Sequence, residues 1–197
     1  MIIHLGFTRN NGNHEQIADS LNFTNELFSK AAIFQVPAII NISSQSVYGM
    51  KATPPWTEKT PVAPETGYAQ AKYATELMLR TAHATYQTLD YCSVRLGTLA
   101  GGAMGLAGDD FLSKFCNTAI IGGTIKLIGG QQQIQRLNIM DAVEAIIKVI
   151  NSNSSTWKPV YNVSSDEILS LKEIAKHVVQ IENEENGGMQ ANIEIEN

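Results

Sequence analysis

Apolar residues are grouped in short continuous runs that alternate with longer stretches of helical spacing. The segments 1–7, 38–43 and 90–97 are apolar and rich in β-branched residues, which is typical of strands buried on both faces. Between them, residues 15–35 and 68–89 carry apolar positions at helical spacing without glycine or proline. Strand, helix, strand, helix and strand in this order predict a parallel sheet covered by helices.

The second half of the chain consists of shorter and more mixed pieces. The pattern predicts helices and strands over residues 111–120 (helix), 124–130 (strand), 141–152 (helix), 160–165 (strand) and 170–181 (helix). The Gly- and Ala-rich stretch before the first of these helices indicates a loop, and the acidic C-terminal stretch indicates a solvated turn or a fraying end. We therefore expect a smaller lobe to follow the sheet.

Composition excludes several classes of protein. The 197 residues are enough for one core, and 44% hydrophobic with 17% charged residues is typical of a globular protein. A net charge of −5 without a basic stripe argues against nucleic acid as a partner. No apolar stretch approaches the ~20 residues of a membrane span, and no signal peptide is recognisable. Cys92 and Cys116 lie in apolar segments without metal-ligand spacing, so we expect reduced thiols, no metal site and a cytoplasmic protein.

The apolar run at 38–43 ends in hydroxyl side chains. Ser43, Ser44 and Ser46 follow directly on Ile42. Serines close turns routinely, and turn chemistry alone accounts for such a cluster. In a parallel α/β sheet, however, ligands bind outside the carboxyl ends of the strands, so these hydroxyls are also candidates for a binding crevice.

Tyr68 and Lys72 lie four residues apart at the start of the long helix. This spacing places both side chains on one helical face, where the ammonium is expected to lower the pKa of the phenol from about 10. A phenol of that kind exchanges protons with a substrate hydroxyl. With 6 tyrosines in the chain, one Tyr-x-x-x-Lys also arises by chance. Together with Ser44, however, the pair supplies the hydroxyl donor, phenol and cation that hydride chemistry at a carbinol carbon requires.

An ordered series of motifs resembles the extended short-chain dehydrogenase/reductases, specifically the NAD-dependent epimerase/dehydratase family. The stretch IIHLG resembles a strand that ends in His-Leu-Ala-Ala, and INISSQSVYG resembles a serine strand that ends in Val-Tyr-Gly. TPVAPETGYAQAKYATE is similar to the Pro-x-x-x-Tyr-x-x-x-Lys segment with its trailing glutamate. Three later stretches resemble further strands and helices of the family: VRLGTLAGG, LNIMDAVEAI and VYNVSSDEILSLKEIAKHV. The resemblance therefore extends to about residue 181.

The resemblance implies a fold and a reaction. The fold would be α/β, a Rossmann-like parallel sheet with flanking helices and a small α/β substrate lobe. Residues 1–100 would form the C-terminal half of a dinucleotide-binding domain, and residues 101–197 a further core strand and helix with part of the substrate lobe. The activity would be that of an NAD- or NADP-dependent epimerase or reductase of a nucleotide sugar or related carbinol or carbonyl compound. Family dimers pair the helices that correspond to 14–35 and 69–88, which implies a homodimer.

Carried over position by position, the resemblance also implies site residues. The catalytic residues would be Ser44, Tyr68 and Lys72, with Lys72 also holding the nicotinamide ribose. Tyr68 and Lys72 would contact the cofactor together with a further set: Leu5, Gly6, Ser43 and Leu96. Residues facing the substrate would be Gln45, Ser46, Thr98 and Arg136. The phosphate-binding arginine of the family falls on Gln135 or Arg136, depending on a register of one residue, and His4 is expected to be structural.

The largest departure from the family is the lack of its first strands and of the Gly-x-x-Gly-x-x-Gly turn that holds the pyrophosphate. The chain begins at what would be the fourth strand of a seven-stranded sheet, so the predicted sheet is incomplete. The glycines of GGAMGLAGDD follow the third strand and are a poor substitute by their order. We therefore expect a fragment, a truncated reading frame or half of a protein completed by a partner, with weak binding of NADH.

A smaller departure concerns the reaction. Related 4,6-dehydratases have Asp-Glu directly after the catalytic hydroxyl residue, whereas this chain has Gln45 and Ser46. Without a carboxylic acid to protonate the leaving hydroxyl, dehydration is disfavoured and epimerisation or carbonyl reduction fits better. The alternatives are a non-catalytic relative that binds a dinucleotide or a partner, and an inactive truncated fragment.

Overall fold

A computed structural model of the chain describes residues 1–49, 55–101, 111–186 and 190–196. Its helices are α1 (His14–Ile33), α2 (Gly67–Thr85), α3 (Phe111–Ile120), α4 (Ile139–Ile150) and α5 (Leu171–Asn186). Its strands are β1 (Ile2–His4), β2 (Ala38–Ser44), β3 (Asp90–Leu96), β4 (Leu99–Ala100), β5 (Thr124–Ile128), β6 (Gln133–Gln135), β7 (Leu137–Asn138), β8 (Val160–Val163), β9 (Ile168–Ser170) and β10 (Asn192–Glu196). Short 3-10 helices are formed by Gln45–Tyr48 and Ser154–Thr156. Within these described ranges, none of the helices is both long and apolar enough to cross a membrane.

The chain folds into two compact units, and each unit is built from two separate stretches of the sequence. The first unit contains Met1–Gly97 and Ala142–Val163, and the second contains Thr98–Asp141 and Ser164–Asn197. The segment 101–197 thus contributes most of α4 and all of β8 to the first unit. Residues 102–110 of the loop predicted before α3 lie outside the part of the chain that the structure describes.

The first unit is built on a parallel sheet with the strand order β1-β2-β3-β8. Each neighbouring pair runs parallel, which confirms the predicted sheet. The strand β2 is central and its residues from Ala38 to Ser43 are buried, as its continuous apolar run predicts. On the sheet, Phe28 and Ala31 of α1 and Leu79 of α2 form one core cluster with Ile39 of β2. Because the strands are parallel, the carboxyl ends of β1, β2 and β3 meet at one edge.

Side-chain caps set where the two long helices begin. The Asn13 side chain accepts a hydrogen bond from the Gln16 amide at 2.9 Å, and the Gln16 side chain accepts one from the Asn13 amide at 3.0 Å. Such a reciprocal capping box satisfies backbone donors that a helix start leaves open. At the start of α2, the Thr66 hydroxyl accepts from the Ala69 amide at 3.2 Å. This cap places Tyr68 in the first turn of α2.

In its described residues, the second unit contains short strand pairs, the helices α3 and α5, and the first residues of α4. β5 pairs with β10 and β4 with β7 in parallel, whereas β6 pairs with β9 in an antiparallel arrangement. The core contains Phe115 of α3, Ile125 and Leu127 of β5, and Ile174 of α5. The acidic C-terminal stretch was predicted to be a solvated turn or a fraying end, and this was wrong in part. α5 continues to Asn186, and β10 pairs with β5, where Ile193 packs against the core of the second unit.

Candidate functional site

The cluster of serines lies where β2 ends and a 3-10 turn begins. Ser44 is the last residue of β2 and is aligned with Leu96 at the end of β3. The Ser44 hydroxyl accepts hydrogen bonds from the Ser46 amide at 3.2 Å and from the Ser46 hydroxyl at 3.0 Å. Gln45 is half-buried in the same turn. The serines therefore do close a turn, as simple turn chemistry predicts, and they also stand at the strand end where ligands of parallel sheets bind.

Gly49 closes this turn in a conformation that glycine favours. Its φ of 67° lies in the left-handed region, and a Cβ at this position would collide with the carbonyl oxygen of Ala63. The Ala63 amide donates to the Val47 carbonyl at 3.0 Å and ties the following loop to the turn. The glycine of the Val-Tyr-Gly pattern thus has a local steric reason.

Tyr68 of α2 meets Ser44 at this strand end. The two side chains are hydrogen-bonded to each other, although 24 positions separate them in the sequence. The predicted convergence of a strand-end hydroxyl with the first turn of α2 is therefore present in the structure.

Lys72 is buried one turn further along α2. Its side chain is only 6% exposed, and its Nζ atom donates to the carbonyl oxygen of Ile42 in β2 at 2.9 Å. Nζ lies 5.9 Å from the centroid of the Tyr68 ring and 4.4 Å from that of the Phe7 ring. Burial lowers the pKa of Lys72 to about 8, because an ammonium loses its hydration there.

The pKa of Tyr68 changes in the direction opposite to the one expected from the sequence. Burial raises the pKa of the phenol above 10.0, and the hydrogen bond with Ser44 opposes this rise. The expectation of a lowered pKa considered only the charge of Lys72, whereas the largest effect on this phenol is the removal of water from its charged form. Tyr68 is therefore a protonated phenol at neutral pH, which suits proton donation to a carbonyl oxygen.

The residues expected to lie along a cofactor occupy different surroundings. Leu5 and Gly6 follow directly on β1 and are exposed. Leu96 is buried at the end of β3 beside Ser44. The hydroxyl of Ser43 donates to Glu76 Oε1 at 2.5 Å, so this side chain belongs to a buried polar network. The likeness to the family did not indicate this contact for Ser43.

Glu76 and Arg95 form a buried ion pair that the motifs alone did not identify. Arg95 Nη2 and Nε donate to the two carboxylate oxygens at 2.7 and 3.0 Å, and the side chains are 5% and 6% exposed. Arg95 Nη1 donates to the Tyr48 hydroxyl at 2.9 Å, which in turn donates to Asn162 Oδ1 at 2.8 Å. The trailing glutamate after Lys72 and the arginine in β3 were visible in the sequence. Their pairing needs the packing of α2 on the sheet.

His4 is part of a second buried network, which supports its expected structural role. His4 Nδ1 lies 3.1 Å from Asn41 Oδ1, and His4 Nε2 lies 3.2 Å from the Thr24 hydroxyl. Asn41 also donates to the Thr75 hydroxyl at 3.0 Å. Burial lowers the pKa of His4, since the charged imidazole would lose its hydration. Both ring nitrogens of His4 thus have partners inside the unit.

The remaining predicted substrate residues belong to the second unit. Thr98 is exposed directly before β4, and its carbonyl accepts from the Leu137 amide at 2.9 Å. Arg136 places its guanidinium 4.4 Å from the Phe111 ring centroid and donates to the Leu99 carbonyl at 3.1 Å. Gln135 donates to the backbone carbonyl of Ser165. The assignment of substrate roles to Thr98 and Arg136 stays a prediction.

The first unit is a Rossmann-like arrangement, a parallel α/β sheet with polar groups at its carboxyl edge, and comparisons with known proteins agree. The model of the NAD dependent epimerase/dehydratase family matches residues 1–164. This chain belongs to that family, which confirms the likeness to extended short-chain dehydrogenase/reductases seen in the motifs.

Individual relatives are more distant. The chain is 26% identical over 158 residues to a dTDP-glucose 4,6-dehydratase of Streptomyces niveus, a match that covers 80% of this chain and 46% of the relative. The fold is similar to that of UDP-N-acetylglucosamine 4-epimerase of Bacillus cereus, with a TM-score of 0.81, 20% identity, and coverage of 98% of this chain and 65% of that one. It is also similar to RMD of Pseudomonas aeruginosa in complex with NADPH, with a TM-score of 0.79, 20% identity, and coverage of 98% and 68%. The chain thus spans about half the length of this curated relative and about two thirds of each of these structures.

Proposed function

We propose that this chain carries the hydride-transfer site of an NAD- or NADP-dependent epimerase or reductase that acts on a nucleotide sugar or a related carbinol or carbonyl compound. One observation carries the proposal. The Ser44 hydroxyl, the Tyr68 phenol and the Lys72 ammonium come together at the carboxyl edge of the sheet. Membership in the family and the NADPH complex of a structural neighbour support the choice of cofactor.

The donor set fits the nicotinamide riboside end of such a cofactor. Hydroxyl groups and an ammonium are suitable partners for ribose hydroxyls, and Leu5 and Gly6 are exposed at the adjacent end of β1. Lys72 would hold the ribose, while Leu96 would pack against the nicotinamide. Ser43 would contribute through its backbone, because its hydroxyl is bound to Glu76. The bound nicotinamide would supply or accept the hydride.

The acid and base work falls to Tyr68. Its raised pKa keeps the phenol protonated, so in the reducing direction it can donate a proton to the substrate oxygen while Ser44 holds that oxygen by a hydrogen bond. The oxidising direction needs the phenolate form of Tyr68, whose oxygen atom receives the proton of the carbinol, so oxidation is favoured as the pH rises above neutral. Gln45 and Ser46 supply no carboxylic acid at the next positions, which supports epimerisation or reduction rather than dehydration. Thr98 and Arg136 are proposed to contact the substrate.

The proposal is tested by turnover and binding measurements on the full chain. Candidate UDP-sugars and dTDP-sugars are incubated with NAD or NADP, and epimers are followed by NMR while NADH and NADPH binding is followed by fluorescence titration. Tyr68→Phe should lower kcat by roughly 100-fold or more, because the proton donor is lost. Ser44→Ala should also lower kcat, and the exposed Tyr86→Phe is the matched control that should leave kcat unchanged.

Two results would contradict the proposal. Turnover of Tyr68→Phe equal to that of the wild-type chain would remove Tyr68 from the mechanism. A wild-type chain that binds neither cofactor and converts none of these sugars would instead favour a non-catalytic or inactive relative.

We also propose that the chain forms a homodimer through α1 and α2 and functions in the cytoplasm. Large apolar side chains on these helices are exposed, among them Phe23, Ile33 and Leu77, which supports an interface there. Cys92 is buried and Cys116 half-buried, and neither is part of a disulfide within the described residues, which supports a reducing compartment.

A further inference from the structure

Phe7 stands at the edge of the proposed site although no motif singled it out. Its ring centroid lies 4.4 Å from Lys72 Nζ and 6.2 Å from the centroid of the Tyr68 ring, in an edge-to-face arrangement. A cation within about 6 Å of an aromatic ring is attracted to it. In the His-Leu-Ala-Ala pattern that this strand end resembles, Phe7 falls where the last alanine stands.

The backbone around Phe7 is anchored on both sides. The Phe7 amide donates to the Leu5 carbonyl at 3.0 Å, which forms a tight turn at the end of β1. The next amide, that of Thr8, donates to the Ser20 hydroxyl of α1 at 3.1 Å. These bonds fix where the Phe7 side chain starts, so the backbone places the ring within reach of Lys72 while the side chain can still rotate.

The ring and the strand hold the same ammonium. Lys72 Nζ donates to the Ile42 carbonyl, while the Phe7 ring lies against it and contributes to its burial. Among ionisable neighbours, His4 of β1 interacts with Lys72 electrostatically, and Tyr68 lies one turn earlier in α2. Glu76, one turn later, is engaged by Arg95 of β3. The aromatic ring is therefore a direct neighbour of the ammonium that the proposed function assigns to the ribose.

We propose that Phe7 is an aromatic cap on Lys72, a positioning residue whose ring holds the ammonium against β2 and must move aside before a ribose hydroxyl can bind. The functional meaning of this cap rests on the proposed function, because the cofactor would compete with the Phe7 ring for Lys72. As a physical contact, it is testable without any cofactor.

The test is competitive acetylation of the full chain over a range of pH, with Lys72 quantified by mass spectrometry against the exposed Lys30. In the wild type, the midpoint for Lys72 should lie at about 8. Phe7→Ala should raise this midpoint by on the order of one pH unit, because water reaches the ammonium. It should also raise the limiting acetylation rate roughly fivefold, because the cap no longer has to open. Phe7→Leu keeps the apolar cover but lacks the ring, so its midpoint should fall about half a unit below that of the wild type.

The acetylation midpoint of Lys72 should be lowest in Phe7→Leu, intermediate in the wild type and highest in Phe7→Ala. This order distinguishes an aromatic cap from simple apolar packing. Acetylation of Lys72 in Phe7→Ala with the wild-type midpoint and rate would overturn the proposal. A Phe7→Leu chain that titrates like the wild type would overturn the aromatic part of it. Tryptophan fluorescence of the variants verifies that they are folded.

A second measurement connects the cap with the cofactor. NADH should bind Phe7→Ala roughly fivefold more tightly than the wild-type chain, since no ring has to be displaced. Equal or weaker binding by Phe7→Ala would refute the competition. If no variant binds NADH, the proposed function fails, while the acetylation experiment still decides whether Phe7 caps Lys72.

Discussion

The buried ion pair between Glu76 and Arg95 allows a sharp test of how the first unit is stabilised. In Glu76→Gln, the side chain keeps its size but loses its charge, and Arg95 remains as a buried cation at 5% exposure. Three hydrogen bonds to the carboxylate, two from Arg95 and one from Ser43, lose their charge assistance. Removal of one partner from a buried pair typically costs 3–5 kcal/mol, so we expect a loss of about 4 kcal/mol in the free energy of unfolding.

The assay is urea unfolding followed by tryptophan fluorescence. Both tryptophans, Trp56 and Trp157, lie in the first unit, so their signal reports the unit that contains the pair. A loss of about 4 kcal/mol should move the urea midpoint down by roughly 2 M. The matched control is Glu26→Gln, which removes the ion pair between Glu26 and Lys30. The side chains of Lys30 and Glu26 are 67% and 70% exposed, so this change should cost less than about 0.5 kcal/mol in the free energy of unfolding.

A double variant separates charge burial from lost contacts. Adding Arg95→Met to Glu76→Gln removes the unpaired cation, so part of the lost stability should return. If Glu76→Gln costs no more than Glu26→Gln, the pair does not stabilise the unit and this reasoning is wrong. If the double variant is as unstable as the sum of the single variants, the cost does not arise from an unpaired buried charge.

Two further predictions concern the proposed site and the proposed interface. Lys72→Met should stabilise the first unit by about 2 kcal/mol at neutral pH, because an ammonium whose pKa is lowered from 10.5 to about 8 is costly to bury. The wild type, but not this variant, should also gain stability as the pH rises from about 8 to 10.5, since the unfolded chain still binds the proton that the folded chain has released. Urea unfolding at several pH values tests both, and a destabilised Lys72→Met would contradict them. In sedimentation experiments the wild-type chain should be a dimer and Leu77→Asp, altered at an exposed position of α2, a monomer; a monomeric wild type would contradict the proposed interface.

Much of the fold could be predicted because its signals are local. The apolar run of β2 and the helical spacing of α1 and α2 each arise from residues that are close together in the sequence. The order of these elements then leaves few arrangements other than a parallel sheet. The partner of the C-terminal strand β10 could not be predicted from its acidic stretch, because the pairing depends on the edge that β5 offers.

The sequence by itself determined which side chains are candidates for chemistry. Ser44, Tyr68 and Lys72 were identified from a strand end, a helix start and a spacing of four residues, and an ordered set of motifs indicated the family. These are features that can be seen along the chain.

Only the tertiary structure decided what surrounds those side chains. Phe7 reaches Lys72 across 65 positions of sequence, and Tyr48 reaches Asn162 across 114. Burial, which depends on these distant contacts, raises the pKa of Tyr68 where the spacing alone indicated a lower one. The physical reason is that hydration is lost to neighbours from the whole fold, whereas a sequence motif shows only the neighbours within one or two helical turns.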